Sequence, residues 1–446
     1  MPPYALLDNP VRHYPWGSPT ALPALTGTAP DGTPQAELWM GAHPSAPSRA
    51  GGRPLDALIT ADPDGLLGPD TVRRFGPELP FLFKVLAADR ALSLQVHPSR
   101  AQAEAGYAAE QLRGVPADAP ERVYKDRSHK PELLCALGDF EALCGFRPPA
   151  ATARLLDALG VLAPWAAALR ERPAAEALPA LLRRALAAGE PELAEVTAAL
   201  GRTEIVTATA TATADAPYAE AFTAYARLAD EHPGDRGLLA ALLLNHVRLG
   251  AGQALYLAAG VPHAYLRGVG VELMANSDNV LRCGLTGKHV DTAGLLAVTD
   301  FRAAGPVLLG ARPLNAVEAE FPSPAEEFRL SRLHPSAAPV RVELTTPQIL
   351  LCTARRARLH APGHPGLDLP RGAAAYLRPG AGPVELTGPG AELFRATTGR
   401  QGVSGDSPRS DALRRAAGDR RAGRSRPGAA RSPGRSIPPG RGRPPY

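Results

Sequence analysis

At 446 residues the chain is long enough for two or three domains with cores of their own, which excludes a disulfide-stapled mini-protein. Its 45% hydrophobic and 21% charged residues are a globular composition, and no apolar run approaches the roughly 18 residues needed to span a bilayer. The net charge of +5 is unevenly placed: residues 401–446 hold 11 Arg and 3 Asp, so the basicity belongs to the tail, and residues 1–400 are slightly acidic.

The N-terminus has two early prolines and no basic segment ahead of an apolar stretch, so a cytoplasmic protein is expected. Residues 1–148 read mainly as short strands between turns. Residues 79–86 form a β-like apolar run, 91–96 follow an Asp89-Arg90 turn, and 132–137 and 140–146 are expected to pair around Gly138-Asp139. From about 150 to 246, Ala, Leu, Arg and Glu recur at helical spacing, as in Leu155, Leu159 and Leu162 or Leu178, Leu181, Leu182 and Ala185. Within this stretch the alternating Thr/Ala tract 207–213 is expected to be a loop. Strand character returns at 253–258 and continues in separate pieces at 260–263, 269–273 and 280–283. After a Pro- and Glu-rich linker near 312–327, residues 328–399 give short strands between Pro/Gly turns, a sandwich or jelly-roll signature.

The fold class is therefore mainly β with an α insertion. One β-barrel-like (jelly-roll) module spans 1–148 and 247–325, a helical domain spans 149–246, and a second β module spans 326–399. Residues 400–446 are rich in Arg, Pro and Gly with few apolar residues, the composition of a disordered tail with no specific nucleic-acid partner expected. Cys135, Cys144, Cys283 and Cys352 form no C-x-x-C pair and sit in apolar, strand-like surroundings, so they read as core thiols. Of 49 basic residues only Lys84, Lys125, Lys130 and Lys288 are lysine. In such a chain a retained Lys marks a place that needs a compact ammonium.

Four segments carry chemistry. In Ser93-Leu-Gln-Val-His-Pro98, a strand puts Ser93, Gln95 and His97 on one face and Leu94 and Val96 on the other, a metal-binding face or simply a solvated one. In Tyr124-Lys-Asp-Arg-Ser-His-Lys-Pro-Glu132, a Glu at the mouth of an apolar strand follows Lys125, His129 and Lys130; a charged loop is the plainer reading. In Gly260-Val-Pro-His-Ala-Tyr265, the lone His263 among small apolar residues is either a satisfied core residue or a ligand. Together Gln95, His97, Glu132 and His263 are an N/O ligand set with one carboxylate, suited to zinc and other first-row divalent ions. The fourth segment, 272–288, holds Asn276, Asp278, Asn279, Arg282 and Lys288. A polar turn explains the Asn and Asp residues but not Arg282 in an apolar strand, which needs an anionic partner, a carboxylate or a substrate oxyanion.

The segments Tyr14-Pro-Trp-Gly-Ser18, Ala36-Glu-Leu-Trp-Met-Gly-Ala-His-Pro-Ser45, Ser93-Leu-Gln-Val-His-Pro98, His129-Lys-Pro-Glu132, Pro262-His-Ala-Tyr265 and Ser277-Asp-Asn-Val-Leu-Arg282 stand in the order found in type I mannose-6-phosphate isomerases. The chain resembles that family from about Asn9 to Gly399. The resemblance implies a cupin fold with a helical insertion, one zinc per chain, and interconversion of mannose 6-phosphate and fructose 6-phosphate in the carbohydrate metabolism that supplies GDP-mannose. It implies Gln95, His97, Glu132 and His263 as metal ligands and Arg282 as the active-site arginine. Ser93, Lys84 and Lys288, with Trp16 and Tyr265 from the matching motifs, are implied substrate-pocket residues, and Lys130, Glu272 and Asp278 lie near the reacting carbons. Ser128 departs from the Asn usual before His-Lys-Pro-Glu, and residues 400–446 have no counterpart.

Aldose–ketose isomerisation needs a base, an electrophile and a phosphate anchor. Lys130 or His129, or the carboxylates Glu272 or Asp278, are the candidates for moving the proton; Arg282 would stabilise the enediolate; Ser93, Lys84 and Lys288 would hold the phosphate. A monomer acting on a small sugar phosphate, away from membranes, is expected. A non-catalytic sugar-phosphate binder would be marked by loss of a ligand or of Arg282, and neither is missing. An iron dioxygenase with two His and one carboxylate would not need the extra Gln or the cations.

Overall fold

The computed structural model describes residues 1–209 and 218–399. The expected tail and most of the Thr/Ala tract lie outside them; the helix Glu190–Thr209 enters the first residues of that tract, where the sequence suggests a loop. The described chain is mainly antiparallel β-sheet with a run of helices, and none of these helices is long and apolar enough to cross a membrane.

The sheet that matters for function has the order Val307–Leu309, Ala254–Leu257, Glu132–Phe146, His263–Ala275, Phe81–Ala88, Glu37–Met40, Val11–Arg12. The short strand Leu94–Val96 pairs with the start of His263–Ala275, and Leu281–Gly284 pairs with Leu94–Val96. Two of its strands run far longer than the turn residues suggest. Glu132–Phe146 passes straight through Gly138-Asp139, and His263–Ala275 passes through Gly268 and Gly270. Glycine and Asp mark a register shift here, not a hairpin: Gly268 faces Phe140 and Gly270 faces Ala136, so the longer side bulges and the sheet bends. The bend lets one strand serve two neighbours, Ala254–Leu257 along its first half and Leu244–Leu249 along its second.

Alternation along these strands separates core from cavity. Phe81, Phe83, Val85 and Ala87 pack with Leu133, Cys135, Val271 and Leu273 against Ile349, Leu351, Tyr376 and Phe394 of a second sheet. The intervening residues Leu82, Lys84, Leu86, Glu132, Glu272 and Met274 face the other way and line a cavity. The second sheet also takes in Tyr4–Asp8, which pairs with Ala374–Leu377, and Arg312–Pro313 and Glu318–Phe321. The partition at 325 therefore does not follow the strand pairing, because strands within 4–54 and 312–321 join one sheet with strands that follow 325. All four cysteines are buried thiols; burial pushes Cys135 and Cys283 up to about 12, which keeps them protonated and inert.

Helices run from Pro149–Leu159 through Gly237–Ala241, and the next strand, Leu244–Leu249, already holds His246. The sequence placed His246 in the helical stretch because the run 238–244 is apolar throughout and offers no change of period to mark the boundary. The helices bury Trp165, Leu178, Leu182, Tyr225 and Leu239 in a core shared with Leu94, Val96, Leu281 and Cys283. Those four are the back faces of the two short strands whose front faces carry Gln95 and Arg282. The helical stretch is thus the backing of the cavity wall.

Candidate metal centre and active site

Register brings the site together. Arg282 lies opposite Gln95, and Gln95 opposite His263, one row across three strands. In a second row Trp39 lies opposite Lys84, and Lys84 opposite Glu272. Residues far apart in sequence thereby share one face of a cavity of about 540 Å³.

Where Glu132 and Gln95 line the cavity, His97 and His263 converge on Glu132 from behind, with ligand atoms of the three all within 4.8 Å of one another. His97 Nε2 is 3.3 Å from Glu132 Oε1, and His263 Nε2 is 3.4 Å from Glu132 Oε2. The three residues are 1–2% exposed. Each imidazole is oriented through its other nitrogen: His97 Nδ1 meets the Asn279 carbonyl at 2.8 Å and His263 Nδ1 the Val261 carbonyl at 2.9 Å. Backbone acceptors at Nδ1 leave both Nε2 atoms with lone pairs turned to the cluster. His97 Nε2 and Glu132 Oε2 are buried without a hydrogen-bond partner, a costly arrangement for a protein with nothing to bind there. Burial holds His97 down at about 4, so it is a neutral ligand at neutral pH. Burial opposes ionisation of Glu132, but the neighbouring His97 and Lys130 outweigh it and hold the carboxyl well below its usual range. The Gln95 amide nitrogen is 3.4 Å from His263 Nε2, and its oxygen accepts from the Ser93 hydroxyl at 3.3 Å; a flip of the amide would turn the oxygen to the cluster. This donor set fits a divalent first-row ion.

Beside the cluster, Lys130 Nζ is 3.2 Å from Glu132 Oε1 and lines the cavity. Lys84 is deeply buried between two carboxylates, 2.9 Å from Glu272 Oε2 and 3.3 Å from Glu37 Oε1. Burial opposes its charge, yet these carboxylates push its proton affinity above the usual ammonium range. The Tyr265 hydroxyl donates to Glu272 Oε1 at 2.9 Å, and the Trp39 indole N–H to Glu37 Oε2 at 2.8 Å. Burial raises the Glu272 carboxyl above its ordinary value. Lys84 is thus already paired with two carboxylates while still lining the cavity, a pairing its reading as a phosphate anchor did not include; nothing in the sequence links Glu37 to it.

A cationic end of the same cavity begins at Arg282, one strand beyond Gln95 in the row that ends at His263, and is built of Arg90, Arg282 and Lys288 with Ser93 and Trp16. Among the described residues none of these three cations has a carboxylate within 4 Å. Burial lowers Arg282, and burial with the nearby Arg282 lowers Lys288, the signature of positive charge without a counterion. Arg282 is therefore not held by a protein carboxylate. Asp278 is exposed at the cavity edge, 3.4 Å from His43 Nε2. His129 is not brought to the cavity: its Nε2 meets Glu327 Oε1 at 2.7 Å, and Arg100 grips the same carboxylate. Its sequence neighbours Lys130 and Glu132 turn inward while it turns away, which removes it from the proton-transfer candidates.

Sequence reading missed Glu37, Arg90 and His232 on the cavity wall, and the organising role of Asn279. The Asn279 side chain accepts from the Lys125 N–H and donates to the Asp126 and Ser128 carbonyls, while its own carbonyl orients His97. The density of Asn in 276–279 was the available signal.

Fold and site together define a β protein with a mononuclear metal-ligand set at the base of a cation-rimmed cavity. Residues 5–149 match the family model of the phosphomannose isomerase type I catalytic domain. The mannose-6-phosphate isomerase of Escherichia coli K12 is 39% identical over 391 residues, 86% of this chain and 97% of that protein; that of Schizosaccharomyces pombe is 32% identical over 77% of this chain and 87% of its own. The apo crystal structure of the Salmonella typhimurium mannose 6-phosphate isomerase superposes with a TM-score of 0.81 at 37% identity, covering 90% of this chain and all of that one. A mannose 6-phosphate isomerase structure with zinc and yttrium bound superposes with a TM-score of 0.80. The chain belongs to the type I mannose-6-phosphate isomerase family.

Proposed function

We propose that this protein is a zinc-dependent isomerase that interconverts mannose 6-phosphate and fructose 6-phosphate through an enediol. The observation that carries the reading is one cavity that meets a buried His97–Glu132–His263 cluster with orphaned ligand atoms through Glu132 and Gln95, and that has a cationic end with no carboxylate within 4 Å among the described residues. A metal ion suits the first and a dianion the second. The two β modules are then cupin-like, with the helices inserted in the one that carries the site.

His97, Glu132 and His263, with Gln95, would hold the zinc, which when bound supplies a Lewis acid for the sugar oxygens. The phosphate lies against Arg282, Lys288 and Ser93, with Trp16 on the wall beside them. That fixes the sugar's C1 and C2 toward the buried end. Glu272 takes the proton from C2 of the aldose and returns it to C1: burial makes it a stronger base than an ordinary carboxylate, and Lys84 and Tyr265 keep it placed. The Lys130 ammonium and Arg282 stabilise the developing enediolate oxygen.

The test is formation of fructose 6-phosphate by purified protein before and after chelation and after zinc is restored, with about one zinc per chain by metal analysis. Full activity in metal-free protein overturns the zinc dependence. Isomerisation in deuterium oxide with no solvent deuterium in recovered substrate or product at any stage would argue for hydride transfer and against the enediol.

A further inference from the structure

The helical stretch does more than back the cavity wall. At the end of the helix Ala219–Glu231 the chain turns through 232–236 into the helix Gly237–Ala241, and this turn touches both loops of the cationic end. Glu231 reaches one loop: its carboxylate accepts the Ala91 N–H at 2.8 Å and its carbonyl accepts from Arg90 at 3.1 Å. Asp235 reaches the other: one carboxylate oxygen accepts the Thr286 N–H at 2.9 Å while its partner accepts the Gly237 N–H at 2.7 Å.

The second contact holds a strained segment. Leu285, between Arg282 and Lys288, is buried with φ at 55°, a left-handed conformation that a branched residue adopts only where its surroundings impose it. Gly237 and Gly284 meet so closely that a Cβ on either would lie within 3 Å of the other's backbone. The turn therefore grips the loop that carries the cations.

His232 stands between these two grips and lines the cavity together with Arg90, Arg282 and Lys288. Its Nε2 is buried without a hydrogen-bond partner, although the residue borders a polar cavity. In this conformation that nitrogen is covered, and because it is unpaired the ring can turn it to the cavity without giving up a protein hydrogen bond.

We propose that His232, delivered by the helical stretch, is a further substrate-recognition residue that hydrogen-bonds the substrate's phosphate beside Arg282 and Lys288. The inference rests on the phosphorylated-substrate reading above. It makes the helices part of the active site, since Glu231 and Asp235 fix the imidazole relative to both cationic loops.

The experiment compares His232→Phe, which keeps the ring and removes both nitrogens, with His232→Gln, which keeps a donor. Both are measured in zinc-loaded protein for kcat and KM on mannose 6-phosphate and for competitive inhibition by inorganic phosphate. Loss of one charge-assisted hydrogen bond predicts a rise of about tenfold in KM and in the phosphate inhibition constant for the Phe variant, with kcat within about twofold. The Gln variant should recover most of both, and melting temperature and zinc content should match the parent. Unchanged KM and phosphate inhibition in the Phe variant overturn the proposal. So does a fall in kcat alone, or an equal loss in both variants, which would assign the residue to packing. Lys288→Ala separates the two levels of inference. If it weakens phosphate inhibition while His232→Phe does not, only the role of His232 fails; if neither weakens it, the phosphate reading of this end fails as well.

Discussion

The two ends of the cavity are assembled on opposite electrostatic plans. At the buried end each charged side chain touches an opposite charge: Lys84 sits between Glu37 and Glu272 and Lys130 beside Glu132, the two imidazoles are fixed through backbone carbonyls, and the one carboxylate in excess lies where a metal cation would balance it. At the other end Arg282 and Lys288 stand near each other, and among the described residues neither has a carboxylate within 4 Å. Balance serves where geometry must be set before the substrate arrives, because an unpaired buried charge would be driven neutral or would distort the site. Imbalance serves where the ligand brings the missing charge itself.

Breaking the balanced end should have the largest effect. His97→Ala or Glu132→Ala should lower zinc content and turnover together, with turnover falling about a thousandfold or more, since the remaining ligands cannot hold the ion alone. Metal analysis beside the activity assay checks this, and retained zinc with lost turnover would assign these residues to chemistry and not to ligation.

Lys84 is the sharper comparison. Lys84→Met leaves Glu37 and Glu272 buried together without their cation, which should cost about 3–5 kcal/mol in chemical denaturation. Lys84→Arg keeps the charge but must fit a larger planar group between two carboxylates set for an ammonium, so it should be damaged mainly in kcat through a displaced Glu272. A rise confined to KM would return Lys84 to the role of phosphate anchor.

At the unbalanced end a smaller and different loss is expected. Lys288→Ala should raise KM about tenfold and leave stability within about 0.5 kcal/mol, because removing an exposed cation from a repelling neighbour breaks no protein contact. Added salt should weaken substrate binding here and leave zinc retention unchanged, as solvent-reachable charges are screened and buried ones are not. The smallest effect belongs to residues 401–446: every site residue precedes Gly399, so a chain ending there should keep kcat and KM within about twofold.

What the sequence determined by itself was chemical identity and local period. Motifs such as Ser93-Leu-Gln-Val-His97 carry candidate ligands and, through alternation in a strand, show which of them share a face. The helical stretch was visible in its 3.6-residue spacing, apart from its end in an unbroken apolar run. Strand length was not legible at Gly138, Gly268 and Gly270, because a glycine that ends a hairpin and one that bends a continuous strand look alike until the partner strand is known. Charge pairing was decided only in three dimensions. Lys84 and Lys288 read alike as retained lysines, but the register of three strands sets Lys84 between two carboxylates, and the turn after the helix Ala219–Glu231 braces the loop that leaves Lys288 without one. Whether a lysine anchors a phosphate or holds a buried carboxylate depends on its neighbours across the sheet, and in a sheet whose strands are drawn from Val11 to Leu309 those neighbours are far away along the chain.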